Sequence, residues 1–411
     1  MAIPTSAEMA PFLKTDYLDK FEIYNWESSL YEAMTTEYQD PADMAFTMVG
    51  SLETGFGGGY TAISSGNDTL ADHGNPEGVQ ITITPAKLTQ RVALPHEIFK
   101  LADNNVKAFG KLVDQRMNGA MKNLKKHIAR QFWGSHFGHL AQAGTFSAPT
   151  ATFPINPATI VTGVNISKLF SKGDQIDVFT ALSGGSQEVT GATILAVNAA
   201  ANTLTLSTSV SWTTGSYIFF RGCRGKEMYG LPEAIDNGSG FTDSYFGNTR
   251  STNVQLQSTV DSTSVAPSAA LFNNYINTSA NESQFTTMFC STNCRSKIAN
   301  DLIAANVHFQ VAPERGLKKL NMSYDDVVLN NGVVVRSDQW CPNTTAYLFN
   351  KEYLKLYVPS TMKKPDFMDE DGNKMSRIAD KLSLEATLAW YAQPVFIRGN
   401  AGMRKTALTG L

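Results

Sequence analysis

The chain is poor in charge, in cysteine and in long apolar runs. Only 17% of its 411 residues are charged, below the ~25% usual in soluble domains. The 34 basic and 37 acidic residues nearly cancel, leaving a formal charge of −3. Bulk positive charge is absent, which excludes a protein that condenses nucleic acid through counterion release. Four cysteines, Cys223, Cys290, Cys294 and Cys341, are too few for a disulfide scaffold in so long a chain. No window holds a membrane-length apolar run, so no membrane-spanning helix and no membrane partner are expected. The opening residues carry no basic stretch leading into an apolar one, unlike a secretory signal. Synthesis in the cytoplasm with reduced thiols is expected.

Motifs that carry chemistry are missing as well. Gly184-Gly185-Ser186-Gln187-Glu188 lacks the closing glycine of a nucleophile elbow. The run Gly55-Phe56-Gly57-Gly58-Gly59-Tyr60 puts Tyr60 where a dinucleotide fingerprint needs its last glycine. There is no Walker A motif and no zinc-protease helix motif. His127, His136 and His139 are the one histidine cluster. No acidic or cysteine neighbour in sequence completes a metal site, so helix-end histidines are expected instead. Cys290 and Cys294, one helical turn apart, read as buried thiols. Asp369, Asp371 and Gly372 begin like a calcium loop, but Ile378 stands where the closing glutamate belongs, so a hairpin turn is expected. No catalytic residue, cofactor or metal is assigned, and the chain is not read as an enzyme.

What is present is a core. Hydrophobic residues make up 42%, and a chain of this length divides into two to four units. Its surface is polar but weakly charged. Such surface is easily buried against other subunits, because desolvating a hydroxyl or amide costs less than desolvating an ion.

Residues 1–45 form an acidic arm with nine acidic residues against Lys14 and Lys20, a net −7. Its aromatic residues, Trp26 among them, are too few for a domain and too many for a solvated tail. The arm therefore calls for another surface. Residues 46–95 read as a long hairpin. Val79–Thr84 alternates with period 2, its partner lies near Phe46–Leu52, and the glycine-rich tip carries Phe56 and Tyr60. A structureless stretch of that length is usually functional. Residues 96–133 read as a helix, with Phe109, Leu112, Val113, Met117, Ala120, Met121, Leu124, Ile128 and Phe132 at three- and four-residue steps. From Lys87 to Arg130 ten basic residues face three acidic ones, a net +7. The opposed totals suggest that Lys122, Lys125 and Lys126 meet the arm of a neighbouring copy. Nucleic acid and plain solvent are the competing partners of that helix face.

Residues 134–160 read as a linker, and 161–222 as a small all-β unit of short strands closing on itself. Helices are expected over 267–278 and 291–305, with Ser291 as N-cap. Strands are expected over 327–336, 346–349, 354–358, 374–390 and 395–398.

This order of pieces resembles the major capsid proteins of tailed bacteriophages, the Hong Kong 97-type fold. Residues 1–45 match that family's N-arm, 46–95 its extended loop, and 96–160 its spine helix with part of the peripheral domain. The segment Gly222–Pro232, with its Gly230-Leu231 phrase, is similar to the family's re-entry into the main domains. Asn330–Asp338 and Thr345–Leu354 resemble the strands that close its axial domain, and Leu382–Gly399 its last peripheral strands. The resemblance implies an α+β chain with an inserted β-barrel-like domain at 161–222, an axial domain at 223–350 and peripheral return strands at 351–411.

It further implies a virion location and self-assembly of the chain into hexamers and pentamers of an icosahedral head enclosing double-stranded DNA. A separate scaffolding protein, a portal protein and a decoration protein would be partners, with weak non-specific contact to the packaged DNA. Residues 46–86 contain no lysine, so the lysine–asparagine cross-link of the family's type member is not expected through this loop. Trp26, Phe56, Tyr60, Lys122, Lys125 and Lys126 become candidate intersubunit contacts. The second reading is a secreted or surface β-rich adhesin, suggested by the Ser/Thr/Asn-rich middle. The missing signal and the basic helix count against it.

Overall fold

The computed structural model describes residues 29–40, 47–55, 77–95, 106–278, 284–304, 327–363, 365–367, 376–377 and 383–410. Trp26, Phe56, Tyr60, most of the glycine-rich tip and the Asp371-Gly372 turn lie outside the described residues.

The chain enters through a helical turn, α1 (Ser29–Ala33), and a strand, β1 (Thr35–Gln39). A hairpin of β2 (Met48–Gly55) and β3 (Glu77–Ile83) follows, with Met48 opposite Ile83. The period-2 pattern sorts its root: Met48, Ile81 and Ile83 are buried, while Val49, Gln80 and Thr82 face outward. Strand β4 (Ala86–Pro95) alternates as cleanly, with Ala86, Leu88 and Val92 buried and Lys87, Thr89 and Arg91 exposed.

The long helix α2 (Val106–Phe132) lies against β4. Its Met117, Ala120, Met121, Leu124, Ile128 and Phe132 are all buried, as their three- and four-residue spacing requires. With 27 residues it is about 40 Å long, shorter than the expected span because 96–105 lie outside the described residues.

The stretch expected as a linker is built into a barrel. Strands β5 (His139–Ala143) and β6 (Thr150–Asn156) come from residues 134–160. A short helix, α3 (Ile166–Leu169), leads to β7 (Gln175–Phe179), β8 (Gln187–Asn198), β9 (Thr203–Val210) and β10 (Tyr217–Phe220). The six strands close in the order β10-β5-β6-β9-β8-β7, which removes every edge. The inserted unit therefore begins at 139 rather than 161. Its core, with Phe153, Ile176, Val178, Ile194, Leu204 and Ile218, is a cluster of its own.

Beyond the barrel, α4 (Leu231–Ala234), β11 (Ser244–Tyr245), β12 (Asn248–Thr249) and β13 (Thr259–Asp261) lead to α5 (Ala269–Thr278). Strand β14 (Thr287–Cys290) is buried on both faces, and α6 (Thr292–Ala304) follows it. The Ser291 hydroxyl caps α6 by accepting from the Cys294 N–H at 3.3 Å, as expected. The single strand expected over 327–336 is two, β15 (Val327–Val328) and β16 (Val334–Ser337). Asn331 (φ 58°) and Gly332 (φ 76°) adopt the left-handed conformation between them, which Asn and Gly tolerate best.

Then come β17 (Ala346–Phe349), β18 (Leu354–Pro359), β19 (Asp366–Phe367), β20 (Ser376–Arg377), β21 (Ser383–Phe396) and β22 (Gly402–Lys405). Strand β21 organises one sheet, ordered β1-β18-β21-β19, with β4 and β20 also paired to it. The second sheet runs β13-β22-β17-β14-β16-β15, with parallel pairs at β13/β22 and β14/β16. The C-terminal strand β22 thus belongs to the second sheet, although residues 351–411 were expected to stay with the first.

Candidate functional site

Three joints decide what this chain can touch and what it holds rigid. The first anchors the arm. The Ser29 hydroxyl donates to the Ser337 carbonyl at 2.9 Å, and the Leu30 N–H reaches Asp338 Oδ2 at 3.4 Å. Tyr31 stacks on Phe132 at the end of α2, with centroids 6.2 Å apart. Leu30 and Met34 are buried. Strand β1 then pairs in parallel with β18, Thr35 opposite Lys355 through Gln39 opposite Pro359. Lys355 donates to Glu37 at 2.5 Å, and this hydrogen bond is the main reason its pKa is raised. Residues 29–39 therefore find their burial partners on their own chain. This corrects the expectation that the whole arm waits for a neighbour: residues 29–39 form the outer strand of a sheet and its anchoring turn, and residues 1–28 and 41–45 of the arm lie outside the described residues.

The second joint fastens the re-entry segment. Gly230 sits against the end of α2, and a Cβ there would lie 2.5 Å from the carbonyl oxygens of Gln131 and Gly134. This close approach is the physical content of the Gly230-Leu231 phrase. Behind it lies a buried polar cluster. Asp236 accepts from Arg404 Nη2 at 2.5 Å and from the N–H groups of Gly238, Gly240 and Phe241 at 3.2 to 3.3 Å. Arg250 Nη2 donates to the Glu233 carbonyl at 2.6 Å, Arg404 Nη1 donates to the Pro232 carbonyl at 2.6 Å, and the Arg250 guanidinium lies over the Tyr245 ring at 4.5 Å. Glu233, fully buried, takes the His136 N–H at 2.8 Å on one oxygen and His136 Nδ1 at 2.6 Å on the other. Partners of this kind offset the cost of burying the charges.

The third joint sets the barrel on the spine. Arg130 and Glu227 pair with 4% and 2% of their side chains exposed, and Arg130 lies over Phe220 at 5.3 Å. His127 packs edge-on to Phe220. Burial above all, with Arg130 and Lys126 nearby, pushes its pKa down to about 3. His139 is pushed down to about 4 by burial and by Arg130. Burial lifts Glu227 above the usual carboxylate range although Arg130 opposes it. Gly222 (φ 71°) and Gly225 (φ 66°) turn the chain out of the barrel. Arg224 ties it back by donating to the Ala181 and Leu182 carbonyls.

The fold separates the residues singled out in the sequence. Lys122 is exposed, whereas Lys125 is 6% exposed. Lys126 is half-buried and donates to Ser171 Oγ of the inserted unit at 3.1 Å. Its pKa is lowered by burial first and by Arg130, with Asp174 acting against both. Lys125 and Lys126 are thus committed within the chain, and Lys122 alone of the three is exposed. The histidines do not converge. His136 has an acidic partner after all, Glu233, brought from 97 residues away by the fold. Cys290, Cys294 and Cys341 are buried. Hydrogen bonding to Cys294, then burial, raises the Cys290 thiol well above its ordinary value. No group of metal-ligating side chains occurs among the described residues.

Sequence reasoning missed Glu227, Glu233, Asp236, Arg250, Asp338 and Arg404. The one available signal was scarcity: in a weakly charged chain, isolated ions beside glycines and aromatics are candidates for burial.

Comparison with known proteins follows the same joints. Residues 222–387, from the barrel's exit through the re-entry lock and into β21, match the SU10 major capsid protein family. No curated protein matches the chain. A solved capsid chain of cyanophage A-1(L) shares the fold with a TM-score of 0.52 at 12% identity, covering 95% of this chain and 93% of that one. The capsid of Myoviridae phage XM1 aligns over 92% and 91% at 10% identity and a TM-score of 0.42. Mycobacterium phage Bobi aligns over 100% of both chains at 10% identity and 0.43. The fold assignment rests on the first of these. The fold is of the Hong Kong 97 type, and over residues 222–387 the chain is similar to a family of major capsid proteins, which supports a capsid shell protein located in the virion.

Proposed function

We propose that the chain assembles into hexamers and pentamers of an icosahedral head that encloses double-stranded DNA, in a structural rather than catalytic role. The observation that carries this reading is the β2/β3 hairpin. It runs seven paired positions from Met48↔Ile83 to Gly55↔Glu77, and its root is held by Met48, Ile81 and Ile83 and by the Asn248 amide donating to the Gln80 carbonyl at 3.0 Å. An isolated two-stranded ribbon is marginal in water. The hairpin becomes stable by lying on a second copy, with residues 1–28 as the other extremity, so ordering is coupled to assembly.

Phe56 and Tyr60 at the tip, Trp26 in the arm and exposed Lys122 are the contacts between copies. A scaffolding protein, a portal and a decoration protein complete the assembly. A chain this close to neutrality holds DNA loosely, which suits spooling and ejection. Negative-stain imaging of the protein expressed with its scaffold tests the reading. Closed shells or sheets of hexamers are expected, and Lys122→Glu lowers their yield without moving the melting temperature. A monodisperse monomer under every condition overturns the reading.

A further inference from the structure

Between the barrel and the spine lies a cavity of about 610 Å³, walled by β4, by α2 and by the barrel with its exit strand. We propose that this cleft is a docking groove for an acidic, aromatic peptide, residues 15–28 of a neighbouring copy. The inference rests on the shell reading and names one of its contacts.

The groove has two matching features. Its charged lining is basic on balance, with Lys87, Arg130, Arg221 and Lys226 against Asp174 and Glu227. His127 in this lining feels its surroundings: burial first, then Arg130 and Lys126, lowers its pKa to about 3. Leu88, Leu124 and Phe220 supply apolar wall.

The proposed occupant fits this lining. Residues 15–28 carry Asp16, Asp19, Glu22 and Glu27 against Lys20 alone, with Tyr17, Phe21, Tyr24 and Trp26 between them. Acidic side chains meet the basic rim, and rings meet the apolar wall. Complementary charge at a rim sets register and rate of encounter.

Zero-length carbodiimide cross-linking of particles assembled from mixed isotopically light and heavy full-length chains tests the groove. Lys226 or Lys87 should be joined to Asp16, Asp19, Glu22 or Glu27, with light–heavy pairs prominent. Particles whose Lys226 and Lys87 join only other partners, or join the arm only within one copy, overturn the groove and leave the shell reading standing. Absence of particles under every condition overturns both. In a second arm, Arg221→Glu with Lys226→Glu lowers particle yield about tenfold. Adding Asp16→Lys and Asp19→Lys to the same chain recovers it. Failure of the paired set to recover yield, with the chain still folded, also counts against the groove. Nuclease-treated particles that lose the cross-links would assign the groove to nucleic acid instead.

Discussion

The two buried joints of this protein contain similar residues and differ in how completely they are satisfied. At the re-entry lock, Asp236 collects three backbone N–H groups and an arginine, while the two guanidinium groups reach the Glu233 and Pro232 carbonyls. At the barrel joint, Arg130 and Glu227 have essentially each other, and buried unpartnered atoms occur at both joints, Arg250 Nε and Arg404 Nε in the lock and Arg130 Nε and Glu227 Oε2 at the barrel. The first arrangement ties the re-entry segment to β22 of the second sheet and to the end of α2. The second leaves the barrel, with its independent core, attached through two chain crossings and a few polar contacts. The lock's carboxylate has many partners, and the barrel joint's has one.

Breaking the lock should have the largest effect. Asp236→Ala leaves the fully buried Arg250 and the nearly buried Arg404 without their carboxylate, and loss of one partner of a buried ion pair costs about 3–5 kcal/mol. Denaturant unfolding should show that loss in the transition that includes both sheets. An Asp236→Ala chain of wild-type stability would mean that the cluster is ornamental.

The arm divides along the same line. Deleting residues 1–40 removes the buried Leu30 and Met34, each worth about 1.5–3 kcal/mol of burial, together with the strand paired to β18. Deleting only residues 1–28 should leave the melting temperature unchanged while particles fail to close. Equal melting for the two deletions would refute the cis anchor.

The barrel joint should respond more weakly. Glu227→Gln keeps a hydrogen bond to Arg130 and loses a charge that burial disfavours, so a change of about 1 kcal/mol is expected. Local amide exchange should rise in the barrel's attachment segments before it rises in the two sheets. A global loss as large as that of Asp236→Ala would erase the distinction between the joints.

The smallest effect concerns pH. Burial acts to raise the Asp261 carboxyl, but hydrogen bonds from Tyr275 and Thr263 and from Lys405 hold it well below its ordinary value. A depressed carboxylate contributes stability that is complete above about pH 4, the unfolded value, and is lost as pH falls toward its folded value. Asp261→Asn should therefore flatten the acid limb of melting temperature against pH while leaving the neutral region less stable than the parent. An unchanged acid limb would show that the carboxylate has no linkage to folding.

Periodicity made much of the fold legible. The apolar steps of α2 and the alternations of β3 and β4 carry their burial pattern openly, because one face must be dry and the other wet. The barrel's first strands were hidden. Thr150–Asn156 includes a proline and little alternation, so residues that form a barrel wall looked like a linker. Strand β1, with its mixed burial, offered no pattern either, and its partner β18 lies about 320 residues away in sequence. The polar joints were hidden for the same reason: Arg130 meets Glu227, and His136 meets Glu233, across 97 residues.

By itself, the sequence determined the spine helix and the cleanly alternating strands, and that no catalytic constellation is spelled out locally, since these follow from near neighbours along the chain. Only the tertiary structure decided which ions are paired, that residues 29–39 of the arm are anchored on their own chain, and that the barrel meets the spine across a basic cleft. Those are contacts between distant residues, and their energies depend on burial that no local pattern encodes.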